Sequence, residues 1–187
     1  VSGVNIRVES QGPERRADSI QAHVAAHLRA EQTFDVLIDD DRSGEAADLV
    51  GLHVEGDQLV VTLVHCKFST SDQPGGRVAD LYEVCGQAMR GAKWRSNSLE
   101  PLFTHLDRRV RAYHRRTGGS AFEVGDLAAL LRLAGRAPQL YPRIVTVIAQ
   151  LGMSAAASTS EQLRLLAGAE AYVRAVTKGA FRVLTSA

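Results

Sequence analysis

Motifs that announce the common enzyme chemistries are missing from this chain. It has no GxxxxGK[ST] loop, so any nucleotide-driven motor must lie outside it. It also lacks GxGxxG after a strand, GxSxG, HExxH and paired CxxC, which leaves dinucleotide binding, the nucleophile elbow and the familiar zinc sites without support. Cysteine is scarce: Cys66 and Cys85 are too few for a disulfide framework and both sit in apolar stretches. A reduced interior follows, and with it the expectation of a cytoplasmic protein. The opening VSGVNIRVESQGPERR holds no apolar run of the signal-peptide kind, and no hydrophobic segment is long enough to span a bilayer, so no membrane partner is expected. Internal repeats and long linkers are absent as well, and Gly118-Gly119 reads as a loop. At 187 residues and 45% hydrophobic, the chain is expected to bury one sizeable core as a single domain. It begins at Val1 with no initiator, which suggests a fragment of something larger.

The net charge of +1 hides a strong segregation. Between Glu31 and Asp48 lie seven acids (Glu31, Asp35, Asp39, Asp40, Asp41, Glu45, Asp48) against the single base Arg42. Between Arg77 and Arg116 nine Lys/Arg face four acids. An acidic pocket beside a basic surface suits a metal site next to a phosphate backbone. Two ordinary solvated faces would produce the same tally.

Hydrophobic spacing predicts an amphipathic helix over 14–31, with Ile20, Val24 and Leu28 every fourth residue. Phe34 to Ile38 reads as a short strand. Ala47 to Val54 alternates, and Leu59 to Phe68 is nearly continuous and β-branched; Gly56-Asp57 between them makes the pair a hairpin. A helix follows Gly75-Gly76, with Val78, Leu81/Tyr82, Cys85 and Ala88/Met89 on one stripe. Helices are expected at about 98–116 and 124–134, a strand at Ile144 to Ala149, a helix opened by a capping box at 158–161 and reaching about Thr177, and a last strand at Phe181 to Leu184. The result is an α/β domain whose antiparallel meander comes first.

Metal-assisted hydrolysis of a phosphodiester needs oxygen ligands for a hard cation, a positive group near the phosphate and a positioned water. Asp48 can supply the first and Lys67 the second. His65 and Lys67 are two apart on a strand and share a face. If the hairpin registers across Gly56-Asp57, Asp48 at the start of one strand meets the end of the other, where Lys67 lies. Lysine is rarely buried without a partner; its stem could equally snorkel from a strand end.

The segments GEAADLV, HCKFS and PGGRVADLYEVCGQAMRGAKW, extended by VTVIAQLGMS and EQLRLLAGAEAYV, resemble the PD-(D/E)XK nuclease superfamily. The likeness is greatest to the nuclease-like module at the C-terminal end of some bacterial superfamily 2 (DEAD/DEAH-type) helicases. That resemblance implies a restriction-endonuclease-like αβββαβ core, a mixed central sheet flanked by helices, with the core at about 14–94 and 143–185 and a helical insertion at about 98–136. It implies Asp48 as a metal ligand, Lys67 as the lysine, Mg²⁺ or Mn²⁺ as cofactor, DNA as substrate and helicase domains as partners. Nothing in the residues distinguishes RNA from DNA.

The chain departs from the family pattern at His65, since the (D/E)XK element reads His65-Cys66-Lys67. Three readings compete: the carboxylate has moved to the next helix as Glu83; His65 itself binds a metal, which suits Mn²⁺ or a softer ion better than Mg²⁺; or the site binds DNA without cutting it. Glu83 and Gln87 are stacked at i and i+4 with Asp80 nearby, a face that could also be simply solvated. RecB-like members of the superfamily use a glutamine on this helix, which gives Gln87 a positioning role by resemblance. Glu45 is a second acid near the site or part of the turn. His23, His27 and Glu31 are the candidates on the first helix.

The run RRVRAYHRR places Arg108, Arg109, Arg111, Arg115 and Arg116 where they can contact phosphates without reading sequence. Arg90, Lys93 and Arg95 extend the track, with Trp94 as a stacking surface or a core residue. The expectation is a metal-dependent deoxyribonuclease module attached to a helicase; the alternative is a catalytically inactive DNA-binding or interaction module.

Overall fold

A computed structural model describes residues 3–95 and 98–186. Its elements are α1 (Ile20–Glu31), β1 (Val36–Asp39), β2 (Leu49–Glu55), β3 (Gln58–Cys66), α2 (Ala79–Gly91), α3 (Glu100–Thr117), β4 (Phe122–Val124), α4 (Leu127–Arg136), β5 (Tyr141–Ser154), α5 (Ser160–Thr177) and β6 (Ala180–Ser186), with short 3₁₀ turns at Ala92–Trp94 and Ala137–Gln139. The six strands form one mixed sheet in the order β4-β1-β2-β3-β5-β6.

The expected meander is present. β1 pairs antiparallel with β2, and β2 with β3 from Leu49↔Val64 to Glu55↔Gln58. The two-residue turn needs a positive φ, and Gly56 supplies it at +60°. β5 then runs parallel to β3 and β6 parallel to β5. β3 is buried from Leu59 to Cys66 and mostly apolar because it lies mid-sheet with helices over both faces, so neither side of its pleat meets water.

Successive residues of β3 feed opposite layers. Val64 and Cys66 pack with Ile20, Val24 and Leu28 of α1. Leu59, Val61 and Leu63 face Leu102, Phe103 and Leu106 of α3 and Leu130 of α4. Further along that second face, Ile148 meets Leu81, Val84 and Cys85 of α2 and Leu166 and Ala169 of α5. Both cysteines are buried and free.

Several boundaries differ from the sequence expectation for local reasons. α1 starts at Ile20 because Ser19 caps it, its Oγ accepting from Ala22 N at 3.1 Å. Residues before the cap form an irregular strap, tied by Ile20 N to Val8 O (2.9 Å) and Gln21 N to Glu9 O (3.1 Å). The 98–136 segment is not helical throughout: β4 pairs with β1 and closes one sheet edge, so α4 begins at Leu127 under an Asp126 cap. β5 is 14 residues long, not the six of Ile144 to Ala149. The α5 capping box is formed by Thr159 and Gln162, one residue later than expected. On α2, Val84 takes the buried position and Tyr82 is 59% exposed. No helix among the described residues is long and apolar enough to cross a membrane.

Candidate functional site

Asp48 immediately precedes β2, opposite the position that follows Val64 on β3, which is His65. Its carboxylate is 2% exposed and doubly held: Oδ2 accepts from Cys66 N at 2.8 Å and Oδ1 from Gln21 Nε2 of α1 at 3.2 Å. The β1–β2 loop brings Asp41 and Glu45 to it. One oxygen from each of the three acids lies within 4.8 Å of the others. Burial drives the Asp48 carboxyl well above the usual range, and the charges of Glu45, Asp41 and Glu9 push it further against the hydrogen bond from Cys66. Burial also raises Glu45 and Glu9.

That loop is braced from several sides. Arg42 N donates to Glu45 Oε2 at 2.8 Å, Ala46 N to Asp40 Oδ2 at 2.8 Å, and Ser10 Oγ to Asp41. The Arg109 guanidinium pairs with buried Asp40 and donates to the Ser43 carbonyl at 3.1 Å. Arg109, expected on a phosphate track, thus has its guanidinium committed to the acidic loop.

Lys67 follows β3, its N–H donating to Ala149 O at 3.0 Å. Its Nζ lies 2.8 Å from Glu83 Oε1 and 3.4 Å from Glu9 Oε2. Glu9 Oε2 also accepts from Phe68 N at 2.9 Å, which pins the N-terminal strap to the strand end. Burial pulls the Lys67 ammonium down, but the hydrogen bonds and charges of Glu83 and Glu9 outweigh it and the pKa is raised. Glu83 therefore reaches the site through Lys67, not as a member of the three-acid cluster. Asp80 accepts from Thr70 N at 3.1 Å.

His65 is 3% exposed, and burial, aided by Arg90, pushes its pKa down to about 4, so the ring is neutral at pH 7. Its Nε2 is buried without a hydrogen-bond partner, as is Oε1 of Gln87. Both residues line a cavity of about 210 Å³ together with Glu45, Arg90, Gly91 and Lys93.

The basic track is mostly solvent-facing. Arg108, Arg111, Arg115 and Arg116 are exposed on α3, Arg111 paired with Asp107 at 2.7 Å. Arg90 and Lys93 are exposed and Arg95 is half-buried. Trp94 packs against the α3 core and tilts over His105 at 4.9 Å, so it is a core residue, not a stacking platform. On α1, His27 pairs with Glu31 at 3.1 Å and Glu31 with Arg182 at 2.7 Å; burial lowers His23.

Two residues at the site carry little sequence signal. Glu9 comes from an irregular strap without periodicity. Asp41 stands in DDDRSG, where a turn accounts for the acids equally well; the excess of acid over 31–48 was the available hint. No family model matches the chain, and neither a curated protein nor a solved structure matches it.

Proposed function

We propose that this chain is a divalent-metal-dependent deoxyribonuclease module of the PD-(D/E)XK type, working with helicase domains. The observation that carries the reading is the meeting of three carboxylates, Asp41, Glu45 and Asp48, within 4.8 Å at one end of β2, with Lys67 placed just beyond the paired strand. The order αβββα followed by parallel strands, and the basic face of α3, support it.

The donor set fits a hard cation. Three oxygens of carboxylates that repel one another, one of them buried and displaced toward protonation, are the ligands Mg²⁺ or Mn²⁺ favours. Asp48, Asp41 and Glu45 would hold it, without calling on His65 or Glu83. When bound, such an ion supplies Lewis-acid polarisation of a phosphate oxygen and a more acidic water. Lys67 places a fixed positive charge where negative charge develops on the phosphate, and the Glu83 and Glu9 carboxylates hold that ammonium in one position. Arg108, Arg111, Arg115 and Arg116 supply sequence-independent contact to the backbone of DNA. RNA meets the same chemistry.

A second reading, a silent DNA-binding module, is favoured by one observation: Lys67 is already neutralised by two carboxylates while His65 stands in the second acidic position. Incubating single-stranded, duplex and branched DNA with Mg²⁺ or Mn²⁺ separates the two. Cutting by the native chain, lost in Asp48→Asn and Lys67→Ala, supports the nuclease. Salt-sensitive binding without cutting under either metal supports the silent module.

A further inference from the structure

The cavity beside the acidic cluster has an unbalanced interior. Buried polar atoms ordinarily find partners, yet His65 Nε2 and Gln87 Oε1 are both buried and unpaired there. The remaining polar lining is Arg90, Lys93 and Glu45. Among the described residues Arg90 makes no ion pair, and Lys93 lies only over the Trp94 ring at 5.1 Å. At about 210 Å³ the space is several times the roughly 30 Å³ of one water.

We propose that this cavity binds a phosphate group, and that its source is the terminal phosphate of a nucleic-acid strand whose body lies across the acidic cluster. A neutral imidazole with its proton on Nε2 is a donor, and the Gln87 amide, which has no hydrogen bond to hold it, turns its NH₂ inward at little cost. With Arg90 and Lys93, the lining then offers donors from four side chains to one acceptor-only ligand. A nucleobase would leave the two cations without a matching group. Gly91 lets this happen: a Cβ there would sit 2.8 Å from His65 Nε2, so only glycine leaves the ring room at the helix end. Glu45 belongs to both the cavity wall and the carboxylate cluster, so a strand end held in one is delivered to the other. The assignment of a strand end rests on the nuclease reading; the assignment of a phosphate pocket does not.

The test uses the full chain carrying Asp48→Asn, with fluorescence anisotropy on one oligonucleotide bearing a 5′-phosphate, a 3′-phosphate or hydroxyls at both ends. One phosphorylated form binds about tenfold more tightly than the hydroxyl form, the factor supplied by one charge-assisted hydrogen bond. The preference disappears in Arg90→Ala/Lys93→Ala, two exposed positions whose truncation leaves the core intact. Inorganic phosphate moves the His65 imidazole ¹⁵N resonances. Equal affinity for all three oligonucleotides with unmoved His65 signals overturns the proposal. Moved His65 signals with equal oligonucleotide affinities keep the phosphate pocket and overturn the strand-end source. Native chain that never cuts DNA but whose end preference persists sinks the nuclease reading alone; cutting without end preference sinks the strand-end source alone.

Discussion

Neutralising Asp48 is expected to stabilise the fold while removing its proposed chemistry. Two unit charges 4.8 Å apart, the widest spacing within the cluster, repel by about 3.5 kcal/mol at an effective dielectric of about 20. Asp48→Asn removes its share of that repulsion and keeps the bond from Cys66 N, since the amide oxygen can accept it. It turns an NH₂ toward Gln21 Nε2, costing one hydrogen bond of about 1 kcal/mol. The net gain of about 2 kcal/mol raises Tm by about 4–8 °C in a chain of this size. The sign with pH follows from the raised carboxyl: its stabilising proton is present at low pH and lost as pH rises through the raised pKa, so native stability falls over that span more steeply than the variant's, which keeps only the raised carboxyls of Glu45, Glu9 and Asp39. Thermal unfolding in EDTA at several pH values measures both effects, and adding Mg²⁺ then stabilises the native chain but not the variant. A variant that melts lower than native in EDTA at neutral pH, with unchanged circular dichroism, would refute the claim that burial and like-charge repulsion together make the Asp48 carboxylate destabilising.

Three more outcomes follow from the geometry. Arg109→Ala leaves Asp40, whose side chain is 1% exposed, without its guanidinium and held by the Ala46 N–H; urea unfolding should show a loss of about 3–5 kcal/mol, and a loss below about 1 kcal/mol would mean the pair behaves like a surface bridge. Gly91→Ala, in spite of alanine's helix preference, should cost about 1–3 kcal/mol through collision with His65; the penalty should vanish in a His65→Ala background, and persistence there refutes the cause. Burial raises the Asp39 carboxyl to about 6 beside Arg15 and Glu123. Its contribution to stability is complete below about 4 and lost as pH rises through about 6; carboxyl ¹³C NMR should find that midpoint, and one near the usual value would show the carboxyl is not desolvated.

What the sequence made legible is what period and hairpin geometry control. Asp48 and the end of the β3 run fall together because a two-residue turn at Gly56-Asp57 fixes the register of everything above it. The meander and the α5 helix were readable for the same kind of reason. Illegible were contacts made across the fold. Glu9 reaches Lys67 because a strap without regular structure is bonded to α1 and to the end of β3. Arg109 looked like its exposed neighbours, and only the folded position of Asp40 reveals its use as a brace. β4 is not legible because the three-residue alternation Phe122-Glu123-Val124 is too short to mark a strand, and its strand character comes from the neighbouring edge of β1.

The seam between β3 and β5 has a consequence for the order in which this molecule is assembled. Asp48 is tied to Cys66 within a hairpin of nearby residues, whereas the backbone of Lys67 is anchored on Ala149, more than eighty residues later. Domains emerge from the ribosome N-terminus first, and contacts of long sequence separation form last. The bond that holds Asp48 can thus form as soon as the hairpin closes, whereas the backbone of Lys67 gains its anchor only when β5 docks along β3.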